Sequence, residues 1–337
     1  MKISTIDTHM AGSSTRIITD GLPELVGRTM TEKMQYFCAN LDDVRRLLIL
    51  EPRGHQNMWG VVLTEPCDPE ADIGAFFVNS EGCFPSCVHS KISLVTAGIQ
   101  KGFLKAPEQG KPIKIELPVG ISNAYPTIVE DKVQSVSIET RASFVEILNI
   151  KLLLETGNFI NASIVFSGVY FILIDVNQVG FYDQGAELLK SKSGIQKLVS
   201  CAINALNQVN KKYELNDPRD SNRVAKVSLA MFYDEIDPQQ ANDVVISATG
   251  SVDRCPCGSA AGAKLALLHH QKRLGMKQDY KLISPIESTL SGKIIGEITN
   301  DDGKNAVIPR ITGSAFITGE HTFYLDDQDS IRVGFTL

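Results

Sequence analysis

Two stretches constrain the fold of this chain more than any others, because each places a cysteine at the opening of a helical run. At Asp253-Arg254-Cys255-Pro256-Cys257-Gly258-Ser259, a strand-like run from Asp243 to Ser247 leads through a turn into small residues that open a helix reaching Leu268. At Glu81-Gly82-Cys83-Phe84-Pro85-Ser86-Cys87-Val88-His89-Ser90, the same order recurs ahead of a helical stretch, Lys91 to Lys101. Cys87 and Cys257 stand 170 residues apart in a chain of 337, so the chain reads as two similar halves. At a helix start, unpaired backbone N–H groups and the helix dipole favour anions and lower the pKa of a thiol. Two such halves facing each other would form one site with two thiols.

Composition narrows what such a site serves. A hydrophobic share of 43% with 21% charged residues is that of an ordinary globular protein, and the length suffices for two domains with their own cores. The formal net charge of -6, without a Lys/Arg cluster, argues against a nucleic-acid surface. No apolar run approaches the roughly 18 residues of a membrane span, and Met1 to Asp7 carries no signal-peptide core, so no membrane partner is expected. Seven cysteines, an odd number, suggest reduced thiols rather than a disulfide framework and a cytoplasmic location.

Along the chain, Lys2 to Asp7 and Thr15 to Thr19 read as a hairpin, and Thr29 with Glu32 as a capping box for a helix through Phe37. A second helix follows at Val44 to Leu50, then buried strands at Gly60 to Thr64 and Asp72 to Asn79. The helix after Cys87 is apolar on more than one face, as a helix enclosed by sheet should be. From Pro112 to Asp175 the pattern is mostly β, and the lobe boundary is placed near Pro118. Gly194 to Asn210 has a clean 3.6-residue period. The remainder reads as strands, among them Lys226 to Tyr233, with a hairpin signal at Asp302-Gly303 and a last strand at Ile331 to Thr336.

The thiols admit other uses. Cys83-x3-Cys87-x-His89 and Cys255-x-Cys257 offer soft metal ligands, but their spacing fits none of the usual zinc patterns and no metal is expected. Neither pair is Cys-x-x-Cys, which sets aside a thioredoxin-like redox role. His9, His55 and His321 read as hydrogen-bonded loop or strand-end histidines, His269-His270 as complements to a helix C-terminus, and Arg53 as a loop brace.

Taken together, these motifs resemble the proline racemase superfamily, which includes hydroxyproline 2-epimerases and trans-3-hydroxyproline dehydratases. The resemblance runs through Asp7-Thr8-His9 with Thr15-Arg16, Gly27-Arg28-Thr29-Met30, Glu51-Pro52-Arg53-Gly54-His55, Glu81-Gly82, Cys87-x-His89, Asp253-Arg254-x-Pro256-Cys257-Gly258 and Ile317-Thr318-Gly319. It implies an α+β fold similar to diaminopimelate epimerase: two pseudo-symmetric lobes, each a curved, mostly antiparallel sheet wrapped around a central helix. The expected division is residues 1–118, completed by a C-terminal strand near 320–337, and residues 119–319, with the active site between the lobes.

The resemblance further implies a cofactor-independent reaction. Cys87 and Cys257 would flank the substrate α-carbon as base and acid; His89 and Asp253 would hold its amine. Backbone N–H groups at Val88, His89, Gly258 and Ser259 would hold its carboxylate, with Ser90 beside them. The dehydratases characteristically carry Thr where this chain has Cys257, so two cysteines favour a racemase or epimerase. Three stretches depart from the family pattern: Ser86-Cys87-Val88-His89-Ser90 where Met-Cys-Gly-His-Gly is usual, so that Val88 and Ser90 replace glycines; Gly258-Ser259-Ala260-Ala261 where Gly-Thr-Gly-Thr is usual; and Ala11-Gly12-Ser13-Ser14 where Gly-Gly-Glu-Pro is usual. Cys255 stands where Ser is common.

The expected activity is therefore inversion of the α-carbon of proline, a hydroxyproline or a related amino acid. A trans-3-hydroxy-L-proline dehydratase is the alternative enzyme, and an amino-acid-binding paralogue without catalysis the alternative of another class. The oligomeric state stays open, a homodimer included.

Overall fold

The computed structural model describes residues 2–154, 157–180, 185–300, 303–326 and 328–336. They divide into two compact units, residues 1–139 with 312–337, and residues 140–311. The fold is α+β.

In the first unit the elements run β1 (Lys2–Met10), β2 (Ser13–Asp20), α1 (Met30–Asn40), α2 (Asp42–Ile49), β3 (Trp59–Thr64), β4 (Ile73–Val78), β5 (Cys83–Phe84), α3 (Val88–Lys101), β6 (Ile113–Leu117), β7 (Gly120–Val129) and β8 (Lys132–Glu139). β1 pairs antiparallel with β2, β2 runs parallel to β3, and β3 is antiparallel to β4. β4 carries β5 and β6, and β6, β7 and β8 form an antiparallel meander. One face of this sheet holds α1 and α2 through a core that includes Phe37, Leu47, Leu48 and Phe76. The expected cap forms in part: Glu32 N–H donates to Thr29 Oγ1 at 3.2 Å, while Glu32 Oε2 accepts from the N–H of Arg28, one residue before the N-cap, at 2.6 Å. The other face wraps α3, whose residues from Val88 to Gly98 are all buried.

The second unit begins with β9 (Ser143–Leu153), β10 (Phe159–Ser167) and β11 (Val169–Asp175). It continues with α4 (Gly185–Lys190), α5 (Lys192–Lys212), β12 (Leu215–Asp217), β13 (Asp220–Ala225), β14 (Val227–Asp237) and β15 (Gln240–Ser247). The helix α6 (Gly258–His270) follows, then β16 (Tyr280–Ile283), β17 (Thr289–Thr299) and β18 (Asn305–Gly313). Its sheet runs β9-β10-β11-β14-β15-β16-β17-β18, and Val307 of β18 pairs back with Ser143 of β9, which closes the sheet on itself. Inside lies α6, in contact with β9, β10, β11 and β17. The small residues Ala260, Ala261, Gly262 and Ala263 allow this enclosure, since a Cβ at Gly262 would stand 2.6 Å from Ser167 Oγ. Outside lies α5, whose apolar stripe of Leu198, Ala202, Ala205, Leu206 and Val209 joins the core under β10, β11 and β14.

Several sequence expectations change. The division falls after Glu139 rather than near Pro118, because the β6–β8 meander packs on α3 and Ser137 of β8 hydrogen-bonds Thr312 at 2.7 Å. The strand β19 (Ala315–Tyr324) then pairs along the whole of β1, so the first unit recovers the chain from 312 rather than from 320. Ile331 to Thr336 is turn, with one bridge from Phe335 to Glu51, not a strand. The Asp302-Gly303 signal falls partly outside the described residues, which omit 301 and 302.

The expectation of reduced thiols fails at one place, where Cys38 and Cys83 form a disulfide with Cα atoms 6.4 Å apart. Packing explains the encounter. Phe37 on α1 meets Phe76 of β4 edge-on at 5.4 Å, and β5 pairs with β4 so that Cys83 lies opposite Val78. Cys38 and Cys83 are thereby carried to the same edge. No helix among the described residues is long and apolar enough to cross a membrane.

Candidate active site

In the first unit Cys87 is the N-cap of α3, extended at φ -152 and ψ 122, and its carbonyl accepts the first helical bond from Lys91 N–H at 3.1 Å. No side chain caps the helix start. The N–H groups of its first turn therefore have no intrahelical acceptor and no side-chain cap. The Cys87 Sγ lies 3.2 Å from His89 Nδ1. The imidazole is packed at right angles to Trp59, with ring centroids 5.3 Å apart, and Trp59 in turn meets Phe84 at 5.1 Å. Burial among these rings lowers the His89 pKa to about 4. At neutral pH the ring is uncharged, so it exchanges a hydrogen bond with the sulfur and adds no charge to it.

Val88 and Ser90 complete this helix start. Val88 is buried, and the fully enclosed Ser90 hydroxyl meets Thr15 Oγ1 at 3.4 Å. Thr15 leads into Arg16, a buried guanidinium that pairs with Asp7 at 2.7 Å and donates to the Leu48 and Arg53 carbonyls. Arg53 itself pairs with Asp329 at 2.8 Å, the bracing role its loop suggested. His55 shares a hydrogen bond with Ser14 at 3.0 Å, and His9 Nδ1 accepts from Gly12 N–H at 3.4 Å.

In the second unit Cys257 is the N-cap of α6, at φ -70 and ψ 124, and accepts from Ala261 N–H at 2.8 Å. Gly258 and Ser259 form the first turn, again without a side-chain cap, and Ala260 behind them is fully buried. Asp253 lies on the segment returning from β15, where its N–H donates to Val245 O at 2.9 Å. Burial raises its carboxyl pKa to about 6, against a hydrogen bond from Cys257 and the charge of Arg254. Cys255 is buried beside this turn.

Each unit thus gathers its own expected residues: Cys87, Val88, His89 and Ser90 in the first, and Asp253, Cys257, Gly258 and Ser259 in the second. Cys83 is committed to its disulfide, which removes it from the metal set its spacing had suggested. Two features escaped the sequence reading. Trp59, the lone tryptophan, walls His89; its strand position alone gave no hint of that neighbour. Lys264, seven residues beyond Cys257 on α6, is wholly buried against Glu235 at 2.6 Å and stands 3.3 Å from the centre of the Tyr233 ring. Burial lowers its pKa to about 8 in spite of that partner.

Chemically, each half offers a thiol at a helix start with a titratable partner at hand. A neutral imidazole either accepts from a thiol or donates to a thiolate, whereas a carboxylate only accepts.

A family model described as proline racemase matches residues 5–336. A proline racemase of Clostridioides difficile is 35% identical over 337 residues, covering 99% of this chain and 98% of its own. A trans-3-hydroxy-L-proline dehydratase of Bacillus thuringiensis subsp. konkukian is 33% identical over the full length of both chains. Among solved structures, a hydroxyproline epimerase from Agrobacterium vitis with bound trans-4-hydroxy-L-proline superposes with a TM-score of 0.87 at 25% identity, covering 100% of this chain and 95% of that one.

Proposed function

This chain belongs to the proline racemase family, and from that premise we propose that it inverts the α-carbon of proline or a hydroxyproline by passing protons between that carbon and two thiols. The observation that carries the reading is the repeated one: in each unit a cysteine is the N-cap of the enclosed helix, with His89 beside Cys87 and Asp253 beside Cys257.

The chemistry follows from how weak an acid the substrate is. An α-proton next to a carboxylate leaves only if the charge that moves onto the carboxylate is met by preorganised donors. The first-turn N–H groups of Val88, His89, Gly258 and Ser259 are such donors. Asp253, anionic above its raised pKa, holds the substrate ammonium, and His89 supports the same group. One cysteine, as thiolate, takes the α-proton, and the C–H electron pair moves toward the carboxylate. The other cysteine, as thiol, then gives its proton to the opposite face, and the centre is inverted. The two thiols end with their protonation states exchanged, so their titration belongs to the pair. No cofactor enters this scheme.

Proton NMR in deuterium oxide tests it, with L- and D-proline, trans-4-hydroxy-L-proline and trans-3-hydroxy-L-proline. Loss of the α-proton signal with inversion is the expected result and names the substrate. Loss of the 3-hydroxyl to give a cyclic imine would transfer the chain to the dehydratase branch. Calorimetric binding without exchange would leave it a binding protein.

A further inference from the structure

The second unit holds a carboxyl group that the scheme above leaves unused. Asp243, on β15, is 1% exposed, and neither of its carboxyl oxygens has a hydrogen-bond partner among the described residues. A buried polar group without a partner is destabilising, and native folds retain few of them. Its surroundings offer no ready compensation. Tyr233 lies opposite it on β14, and Tyr280 approaches from β16 with a hydroxyl that is likewise without a partner. Lys264 comes from α6, but its ammonium is already engaged by Glu235. Asp253 closes the group from the returning segment, held there by its bond to Val245 and by the bridge between Ile246 and Val252.

We propose that Asp243 is a positioning residue of the Cys257 half-site: its carboxyl stands behind Asp253 and governs how much negative charge that end of the site carries while Cys257 ionises. The proposal rests on the two-thiol reading given above. Two buried carboxyls that repel each other do not both ionise readily. Burial first, and repulsion from Asp253 second, push Asp243 well above the usual carboxylate range, against the opposing charge of Lys264. Asp243 is therefore the member that gives up its proton later, in the range where the thiol itself ionises, and Asp253 is the anion that receives the Cys257 S–H. When Asp243 does lose its proton, a second negative charge appears behind Asp253 and disfavours the Cys257 thiolate. The two groups then titrate against each other, which spreads the ionisation of the thiol over a wider pH range.

The test is the pH profile of Cys257 alkylation by iodoacetamide in the full chain, read by peptide mass spectrometry, with Cys87 in the same sample as reference. Asp243→Asn keeps the shape and carries no charge at any pH. The expected result is a steeper Cys257 profile with its midpoint lowered by about one pH unit, or roughly tenfold more thiolate relative to thiol at a given pH, and an unmoved Cys87 profile. An unchanged Cys257 midpoint, or a shift shared with Cys87, overturns the proposal. Asp243→Val removes the same charge with a different shape, and it too must reproduce the shift, with its fold checked by circular dichroism. Alkylation needs no turnover, so a chain that exchanges no α-proton would defeat the isomerase reading while leaving this result decisive for Asp243.

Discussion

The two cysteine-led helix starts solve one problem, holding a thiol ahead of an enclosed helix, with different materials. Around Cys87 the supports are aromatic and covalent: His89 is walled by Trp59, Trp59 by Phe84, and the residue before Phe84 is tied to α1 through the Cys38–Cys83 disulfide. Around Cys257 they are electrostatic: Asp253 with Arg254 and Asp243, then Lys264 with Glu235, and Glu235 with Arg273. Similar helix starts therefore coexist with unlike electrostatics. The first thiol meets a neutral ring and the second meets a carboxylate. The chain can repeat a geometry while leaving each half to be tuned separately, one by packing and the other by charge.

The largest effect should come from breaking the symmetry outright. Cys87→Ser and Cys257→Ser should each lower the rate of inversion by about a thousandfold or more, at the upper part of the range for losing a positioned acid or base, as read by NMR with each enantiomer. A mutant of either that inverts at the wild-type rate would show that one thiol suffices. Next comes the covalent support found in the first half alone. Cys38→Ser should cost about 3 kcal/mol in urea unfolding, and reduction of the wild type should match it. An unchanged midpoint would mean that packing by itself holds β5.

The electrostatic half should reveal itself through pH. Asp253 has a raised pKa and, in the proposed mechanism, acts as an anion, so kcat/KM should fall about tenfold per pH unit below about pH 6. Asp253→Asn should remove that limb along with most of the activity. His89, already neutral down to about pH 4, should not set it, and His89→Asn should leave the limb in place. Stability carries the opposite sign at Asp243. Its folded pKa lies above the unfolded value, so between the two the folded chain holds a proton that the unfolded chain has released. Stability should decline as pH rises through that window, and Asp243→Asn should flatten the decline in urea titrations. The smallest effect concerns the enclosed helices themselves. Gly262→Ala crowds Ser167 and should cost about 1 kcal/mol; a neutral result would show that α6 has more room than its small residues suggest.

Much of this was legible in the sequence where a local pattern has a local cause. The cap at Thr29, the period of α5 and the two cysteine-led helices depend on neighbours within a few positions, and they form close to where they were read. The Cys38–Cys83 bond joins residues 45 apart through strand pairing, and an odd cysteine count cannot disclose that. The division after Glu139 was misplaced because loop composition marks a turn, not which helix the following strands will cover. Asp243 was taken only as the beginning of a strand. Its burial comes from the closed sheet around α6, which no alternation of residue types in β15 could announce.

The pairing of β1 with both β2 and β19 has a consequence for how the polypeptide is made. The second unit is inserted within the first, so residues 140–311 leave the ribosome as one uninterrupted stretch. β1 must wait for its other neighbour. At roughly 5–20 residues per second, synthesis leaves one edge of β1 without β19 for about 15–60 s. For that interval β1 is an open strand edge of the kind that invites pairing with other chains. Its protection during translation then depends on the inserted unit folding promptly and bringing the last strand home.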